Sequence, residues 1–278
     1  MPKELLFGTA GIPLSTKNRS TENGIKRLKE LKLGCMELEF VRSINISREK
    51  APEIKKIAAQ ESIELTVHAP FYINLNSVEK KTYYASVNYI FSSAKIGFLC
   101  GAKSVTFHAG FYMKQEPKQV FQKIKEGIKE IEKKLIDVGI KIWLRPETTG
   151  KATQWGSLEE IVFLSEEFEL VQPCIDFSHL HARSTGKNNS LEEFTENLSL
   201  VENKLGKKAL NELHMHLSGI NYSEKGERKH LILKESDMNY KDLLQVLKDF
   251  KVKGWLICES PNLEEDALLL KKTFDKLK

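Results

Sequence analysis

Strand-like and helix-like segments alternate eight times along this chain of 278 residues. The strand-like segments are short apolar or alternating runs such as 35–40 (CMELEF), and the helix-like segments are amphipathic, as in 117–137. No Pro/Gly/Ser-rich linker interrupts the alternation, and 41% hydrophobic content is enough for a sizeable core. The pattern favours a single α/β domain spanning 1–278, built as a (β/α)₈ TIM barrel, over a doubly wound open sheet.

The boundaries of the elements follow from periodicity and capping residues. The expected strands are 5–9, 35–40, 63–67, 104–107, 141–144, 170–175, 210–217 and 255–258. The expected helices are 21–33 with Thr21 as N-cap, 47–60, 79–99, 117–137, one beginning at the capping box of Ser157, 190–204, 239–250 and 263–277. Segment 218–235 is predicted to be a long loop.

Six potential metal ligands fall near the ends of successive strands, 29 to 43 residues apart. They are His68, His108, Glu147, Asp176, His216 and Glu259. One histidine at a strand end is commonly a hydrogen-bonded structural residue, but a closed ring of parallel strands would bring all six to one rim. Histidine and carboxylate together suit zinc, with manganese or iron as alternatives. The spacing therefore predicts a metal site at the C-terminal end of the barrel.

Side-chain parity adds a prediction about the barrel interior. In LHMHL (213–217), His214 and His216 share one face, so both point inward if the apolar residues pack on the helices. His216 is then expected at the rim and His214 one layer below. Glu37, Glu39 and Arg145 also point inward by this rule. Because an isolated buried carboxylate is costly, we predict that Arg145 pairs with Glu37 or Glu39.

The local sequences around the six positions are more specific than their spacing. In order they read HAPFYINL at 68–75, FH at 107–108, ETTG at 147–150, DFSH at 176–179, HL at 216–217 and ESP at 259–261. Each is weak alone, but the ordered set resembles the endonuclease IV family of apurinic/apyrimidinic (AP) endonucleases, within the xylose-isomerase-like barrels. The resemblance implies base excision repair of double-stranded DNA, with a three-zinc cluster that cleaves the phosphodiester 5′ to an abasic site.

The resemblance also implies a role for each candidate ligand. His68 and His108 resemble ligands of a first zinc ion, and Glu147 resembles a bridge to a second. Asp176, His216 and Glu259 would complete that second site, and Glu147 and Glu259 are the expected catalytic carboxylates. His179 resembles a ligand of a third ion.

The third site departs from the family pattern. Family members commonly supply a D-x-H pair after the strand-seven histidine, whereas this chain has Lys229 where the histidine would stand. We predict that Glu227 and His230 serve instead, with Lys229 facing outward. The alternatives are a solvated charged loop, or His181 and His214 as ligands or as hydrogen-bond donors to ligands.

Residues around the same rim are candidates for DNA binding. Phe71 and Tyr72 would wedge into a duplex at the lesion, or else cap the barrel mouth. The basic and aromatic candidates together are Phe71, Tyr72, Lys151, Arg183, Arg228 and Lys229. The net charge of +5 is compatible with a polyanionic partner but too small to establish one.

Two other functions remain open from the sequence. A sugar isomerase or epimerase of the same superfamily would use one divalent ion and paired carboxylates. A non-catalytic lesion-binding or metal-binding relative would keep the barrel without turnover. The chain has no apolar run of about 20 residues and no secretory signal pattern, so we expect a cytoplasmic protein without a membrane partner, and a monomer. The four scattered cysteines are expected to be reduced core residues.

Overall fold

The computed structural model describes residues 2–277. The barrel strands are β1 (Leu5–Ala10), β2 (Cys35–Glu39), β3 (Glu64–His68), β4 (Ser104–Phe107), β6 (Trp143–Pro146), β8 (Cys174–Asp176), β9 (Leu213–Leu217) and β12 (Gly254–Cys258). Two short pairs lie outside the barrel: β5 (Gly110–Phe111) with β7 (Gln154–Trp155), and β10 (Gly219–Ser223) with β11 (Gly226–Leu231). The helices are α1 (Thr21–Glu30), α2 (Ala51–Glu61), α3 (Lys80–Cys100), α4 (Pro117–Asp137), α5 (Leu158–Ser165), α6 (Phe177–Arg183), α7 (Leu191–Leu205), α8 (Lys207–Leu210), α9 (Tyr240–Asp249) and α10 (Glu264–Lys276).

The eight barrel strands form one parallel sheet in the order β6-β4-β3-β2-β1-β12-β9-β8. Two parallel bridges, Leu144 with Val171 and Glu147 with Cys174, connect the β6 side to the β8 side and nearly close the ring. The structure therefore confirms the predicted (β/α)₈ barrel. Its strands end at one rim, which is where this architecture places functional groups.

The helices cover the barrel with their apolar faces. Helix α4 is typical: Val120, Ile124, Ile128, Ile131 and Leu135 are fully buried at spacings of three and four residues, while lysines and glutamates face outward. Its bounds match the sequence prediction, because Pro117 at the first position and the break after Asp137 mark both ends.

Several predicted boundaries are corrected. Ser20, rather than Thr21, caps α1 by accepting from the Asn23 backbone N–H. The expected strand 170–175 shrinks to β8, because Pro173 has no N–H to donate to a neighbouring strand. A short helix that the sequence did not predict, α6, follows β8 directly. The predicted loop 218–235 is mostly the antiparallel hairpin β10–β11.

The predicted pairing of Arg145 with Glu37 or Glu39 is wrong. Arg145 is buried, and its guanidinium donates to the backbone carbonyls of Pro173 and Glu212. The bridges of Leu144 with Val171 and of Glu147 with Cys174 place Arg145 beside the residues that precede β8. The Arg145 side chain therefore lies toward the N-terminal end of the barrel. Parity gave the correct face, but the stagger between neighbouring strands set the height. Glu37 instead contacts two histidines.

Two further expectations concern the cysteines and membrane-spanning helices. Cys35, Cys100, Cys174 and Cys258 are all buried and free, as predicted. Across residues 2–277, no helix is both long and apolar enough to cross a membrane.

Candidate metal centre

Glu147 follows β6 and occupies the middle of the barrel mouth, where it is 1% exposed. Its Oε2 atom lies 3.2 Å from His68 Nε2 and 3.3 Å from His108 Nε2. Its Oε1 atom lies 3.2 Å from His179 Nδ1 and 3.3 Å from His216 Nδ1. Four imidazoles, three from strand ends and one from α6, therefore converge on one carboxylate.

The convergent side chains fall into three groups at the mouth. Within each group one ligand atom per residue lies within 4.8 Å of every other. The groups are His68, His108 and Glu147; Glu147, Asp176, His216 and Glu259; and Asp176, His179 and His230. Glu147 belongs to the first two groups and Asp176 to the last two. The mouth thus holds three overlapping sets of donors, connected by shared carboxylates.

These donors fit divalent cations. Around a tetrahedral zinc ion with bonds of about 2.0–2.1 Å, neighbouring ligand atoms are about 3.3 Å apart. The contacts of Glu147 with its imidazoles have this separation. Asp176 Oδ2 is buried, lies 3.3 Å from His179 Nδ1 and has no hydrogen-bond partner among the described residues. A buried carboxylate oxygen without a donor is costly in a folded protein, and a cation would satisfy it.

The charges at the mouth shift the pKa values of its histidines in both directions. Neighbouring anionic groups outweigh burial and raise the pKa of His68 to about 10 and those of His179 and His216 well above the ordinary value, so these imidazoles would release protons on binding a cation. Burial lowers the pKa of His108 to about 4, which keeps the imidazole in the neutral form that binds metals. Burial, together with the charges of Glu147 and Asp176, outweighs the opposite effect of His216 and raises the pKa of Glu259 to about 8. A cation at the mouth would offset both the burial of the Glu259 carboxylate and its repulsion by Glu147 and Asp176.

The third group depends on the hairpin β10–β11. His230, on β11, has its ring centroid 5.6 Å from that of His179. Glu227 lies beside both, with Oε2 3.6 Å from His179 Nε2 and Oε1 3.9 Å from His230 Nε2. His179 lies on α6 and not on a loop, and the Asp176 side chain caps that helix by accepting from the His179 backbone N–H. Asp176 thus positions His179 as well as facing the cluster.

A buried polar layer lies directly below the mouth. Glu37 on β2 places Oε1 2.9 Å from His216 Nε2 and Oε2 3.0 Å from His214 Nε2. Thr66 donates to Glu37, and Ser104 contacts the other nitrogen of His214. His214 therefore lies one layer below His216, as parity predicted. Glu37 lies beside the His216 nitrogen that faces away from the cluster, and carboxylates placed in this way orient metal-binding histidines.

The sequence interpretation missed Cys174 as a neighbour of this layer. Its Sγ atom groups with ring nitrogens of His214 and His216. Cys174 pairs with His214 across β8 and β9, and it has the same parity as Asp176, two residues later. This shared parity could have predicted from the sequence that Cys174 points into the barrel, as Asp176 does.

The remaining candidates are spread along the rim. Phe71 is 61% and Tyr72 40% exposed, and their rings meet edge to face. Arg228 and Lys229 are exposed on β11, as expected for Lys229. Arg183 is half-buried, and it donates to the Thr149 hydroxyl and to backbone carbonyls of the loop containing the half-buried Lys151.

His181, an alternative ligand, points away from the mouth. Its Nε2 atom lies 3.1 Å from Asp237 Oδ1, and its ring meets Tyr222 edge to face. This contact joins α6 to the hairpin, outside the three donor groups.

Fold and site together define a parallel (β/α)₈ barrel with a histidine–carboxylate cluster in its C-terminal mouth. Residues 25–278 match the xylose isomerase-like TIM barrel family, and the chain belongs to that family. An uncharacterized protein of Methanocaldococcus jannaschii is 44% identical over 273 residues, 98% of each chain. A probable endonuclease 4 of Listeria monocytogenes is 27% identical over 133 residues, which cover 46% of this chain and 44% of that protein.

Solved structures of two kinds share the fold. Endonuclease IV from Thermus thermophilus superposes with a TM-score of 0.71 at 16% identity, covering 97% of this chain and 100% of that one. A D-tagatose 3-epimerase-like protein superposes with a TM-score of 0.72 at 19% identity, covering 96% of both. At these identities the superpositions establish the fold alone. Both endonucleases and sugar epimerases occur among the structural neighbours, so the site must decide between them.

Proposed function

We propose that this protein is a metal-dependent phosphodiesterase that incises double-stranded DNA 5′ to an abasic site. One observation carries the proposal: Glu147 and Asp176 are each shared between two of the three donor groups at the mouth. Shared carboxylates are what a cluster of two or three ions needs, since each oxygen can hold a different ion. Zinc suits the histidine-rich donor set, with manganese or iron as alternatives.

The residues of the chain divide into holding and orienting roles. His68 and His108 would hold a first ion with Glu147, and Asp176, His216 and Glu259 would hold a second. His179 and His230 would hold a third, with Glu227 beside them. Bound divalent cations supply Lewis acidity for activating water and neutralising phosphate charge. Glu147 and Glu259 are the carboxylates whose loss should damage this chemistry most.

The rim offers suitable contacts for nucleic acid. Phe71 and Tyr72 present aromatic rings at the mouth, and base–aromatic stacking is worth about 1–3 kcal/mol per base. Arg228 and Lys229 are exposed on the hairpin beside the third donor group, where they would meet backbone phosphates. The partner we propose is duplex DNA that carries an abasic site.

A sugar epimerase is the second candidate. Glu147 Oε1 and Glu259 Oε1 lie 3.3 and 3.4 Å from the same atom, Nδ1 of His216. Two carboxylates therefore lie beside one potential metal ligand, and an epimerase that uses a single ion needs such a pair for acid–base chemistry. A one-ion enzyme, however, leaves the third donor group on the hairpin without a purpose. The number of donor groups therefore favours the nuclease.

The test is incision of a duplex that contains one synthetic abasic site, with metal-loaded and chelator-treated protein. We expect a single cut 5′ to the lesion that requires metal. Glu147→Gln and Glu259→Gln should abolish incision, because each removes charge from the cluster with little change in volume. Glu159→Gln, at an exposed position on α5, is the matched control and should cut normally.

Three results would contradict the proposal. One is an intact abasic strand with metal-loaded wild type, and another is normal incision by both cluster variants. The third is epimerisation of D-fructose by a preparation that leaves abasic DNA uncut, which would establish the epimerase instead.

A further inference from the structure

A cavity of about 560 Å³ opens at the N-terminal end of the barrel, opposite the metal centre. It lies among the segments that lead into the strands, such as the residues just before β4, β6 and β9. The side chains that give it its character are Lys55, Lys103, Lys141, Lys208, Trp143 and Trp255. Its volume falls within the range of about 300–1,000 Å³ that is typical of small-molecule sites.

The cavity is lined by an excess of positive charge. None of its four lysines forms an ion pair with a carboxylate within residues 2–277, so their ammonium groups are free to bind a ligand. Glu169 and Glu212 also line it, so four cations face two anions. Like charges gathered around a concave surface focus a positive potential there and favour an anionic ligand.

A buried cation lies beside two tryptophans that line the cavity. Arg145 is 1% exposed, and within residues 2–277 its Nε atom has no hydrogen-bond partner and its guanidinium donates only to backbone carbonyls, one of them that of Glu212. Its guanidinium carbon lies 5.8 Å from the ring centroids of both Trp143 and Trp255, which line the cavity. A buried guanidinium without a carboxylate is unfavourable, and an anion bound nearby would offset its charge.

The tryptophans narrow the class of ligand. Trp143 is only partly buried and offers indole surface within the ring of lysines. Indole rings stack on flat π systems, and lysine ammonium groups bind phosphate oxygens. An inorganic anion would make no stacking contact with Trp143, and an uncharged aromatic ring would make no ionic contact with the lysines.

We propose that this N-terminal cavity binds a nucleoside phosphate, with its base against Trp143 and its phosphates among Lys103, Lys141 and Lys208. The site is separate from the metal centre, because the two lie at opposite ends of the barrel. It therefore does not depend on the function proposed above.

Calorimetric titration of metal-loaded protein with ADP tests the proposal. We expect one ADP per chain, with adenosine alone and inorganic phosphate alone each binding at least about tenfold more weakly. The same titration with Glu147→Gln separates the two ends of the barrel. We expect the Glu147→Gln variant to bind ADP with wild-type affinity, because Glu147 lies at the opposite end of the barrel from the cavity. A nucleotide bound at the metal centre would instead bind more weakly to this variant.

Two variants locate the site. Lys103→Glu with Lys141→Glu reverses two exposed charges and should weaken ADP binding at least about tenfold. Lys26→Glu with Lys272→Glu makes the same change at exposed positions outside the cavity and should bind as wild type does. Trp143→Ala should weaken ADP about fivefold or more and leave phosphate affinity unchanged. Circular dichroism confirms that each variant is folded.

The proposal is overturned if wild type binds no ADP, or if the double reversal at the cavity binds as tightly as its control. Equal affinity for inorganic phosphate and ADP would also overturn it, because the base would then contribute nothing. Loss of ADP binding in Glu147→Gln would place the nucleotide at the metal centre instead.

Discussion

Gly150 packs directly against Glu227, so closely that a Cβ atom on Gly150 would lie 2.7 Å from both the Cβ and the Oε2 of Glu227. The same glycine accepts from the Glu227 backbone N–H through its carbonyl, at 2.9 Å. A Cβ on Gly226 would meet that carbonyl at 2.3 Å. The loop after β6 and the hairpin β10–β11 therefore meet through two glycines. This contact sets how near Glu227 and His230 come to the rest of the cluster.

Gly150→Ala should displace the hairpin and weaken the third metal site. The added methyl group also comes within 3.1 Å of the His179 ring, so both sides of that site must shift. We expect elemental analysis to show about three metals per chain in wild type and about two in the variant. Thr153→Ala, an exposed position in the same loop, should keep the wild-type number. An unchanged metal count in Gly150→Ala would show that this packing does not control the site.

Removing the hairpin donors tests the third site directly. The double variant Glu227→Ala, His230→Ala should carry about two metals per chain, because His179 and Asp176 alone give a weak site. The matched control is Arg228→Ala, Lys229→Ala, which changes two neighbouring exposed residues and should retain about three metals. If both double variants keep the same number of tightly held ions, the hairpin supplies no ligand.

Glu37→Gln should lower metal affinity without unfolding the protein. The Glu37 carboxylate lies 2.9 Å from His216 Nε2 and 3.0 Å from His214 Nε2, so the change to an amide removes the charge that orients and polarises His216. Loss of such a partner typically costs about 10–100-fold in metal affinity. Competition with a chromophoric chelator measures the change. Glu64→Gln is the control, since Glu64 accepts from the Trp255 indole and contacts neither histidine. Equal affinities in the two variants would remove Glu37 from this role.

Arg145 and Glu37 should act independently on stability. Arg145→Met removes two hydrogen bonds to backbone carbonyls, and each unsatisfied carbonyl costs about 1–3 kcal/mol, partly offset by the removal of a buried charge. A double-mutant cycle with Glu37→Gln, measured by denaturant unfolding, should give a coupling energy below about 0.5 kcal/mol. A coupling energy of several kcal/mol would indicate that Arg145 and Glu37 pair directly, contrary to the structure.

Phe71→Ala should weaken binding of abasic duplex DNA by about tenfold and leave the metal count unchanged. The ring is 61% exposed at the rim, so its loss removes stacking surface with little effect on the core. Phe163→Ala is a control of similar exposure, 44%, on α5. Fluorescence anisotropy with a labelled duplex measures both affinities. Identical affinities for the two variants would mean that Phe71 only caps the mouth.

The sequence determined the barrel and the position of the cluster. Alternating periodicities of two and 3.6 residues fixed the eight units, since each segment can bury its apolar residues in only one way. His68, His108, Glu147, Asp176 and Glu259 were identifiable because parallel strands of one barrel all end at the same rim. Parity along 213–217 also placed His214 below His216. These features follow from the local geometry of strands and helices, and predicting them requires no knowledge of contacts between distant residues.

Tertiary structure alone decided which groups face one another across the barrel. Parity assigned Arg145 and Glu37 to the interior, but the stagger between strands put them at different heights with different partners. The hairpin was hidden because β11 (GERKHL) is rich in charged residues and lacks the apolar alternation that marks a buried strand. Its position, and with it the approach of Glu227 to His179, comes from the contact of Gly150 with residues 226–227. Such contacts join residues more than 70 positions apart, and local patterns carry no information about them.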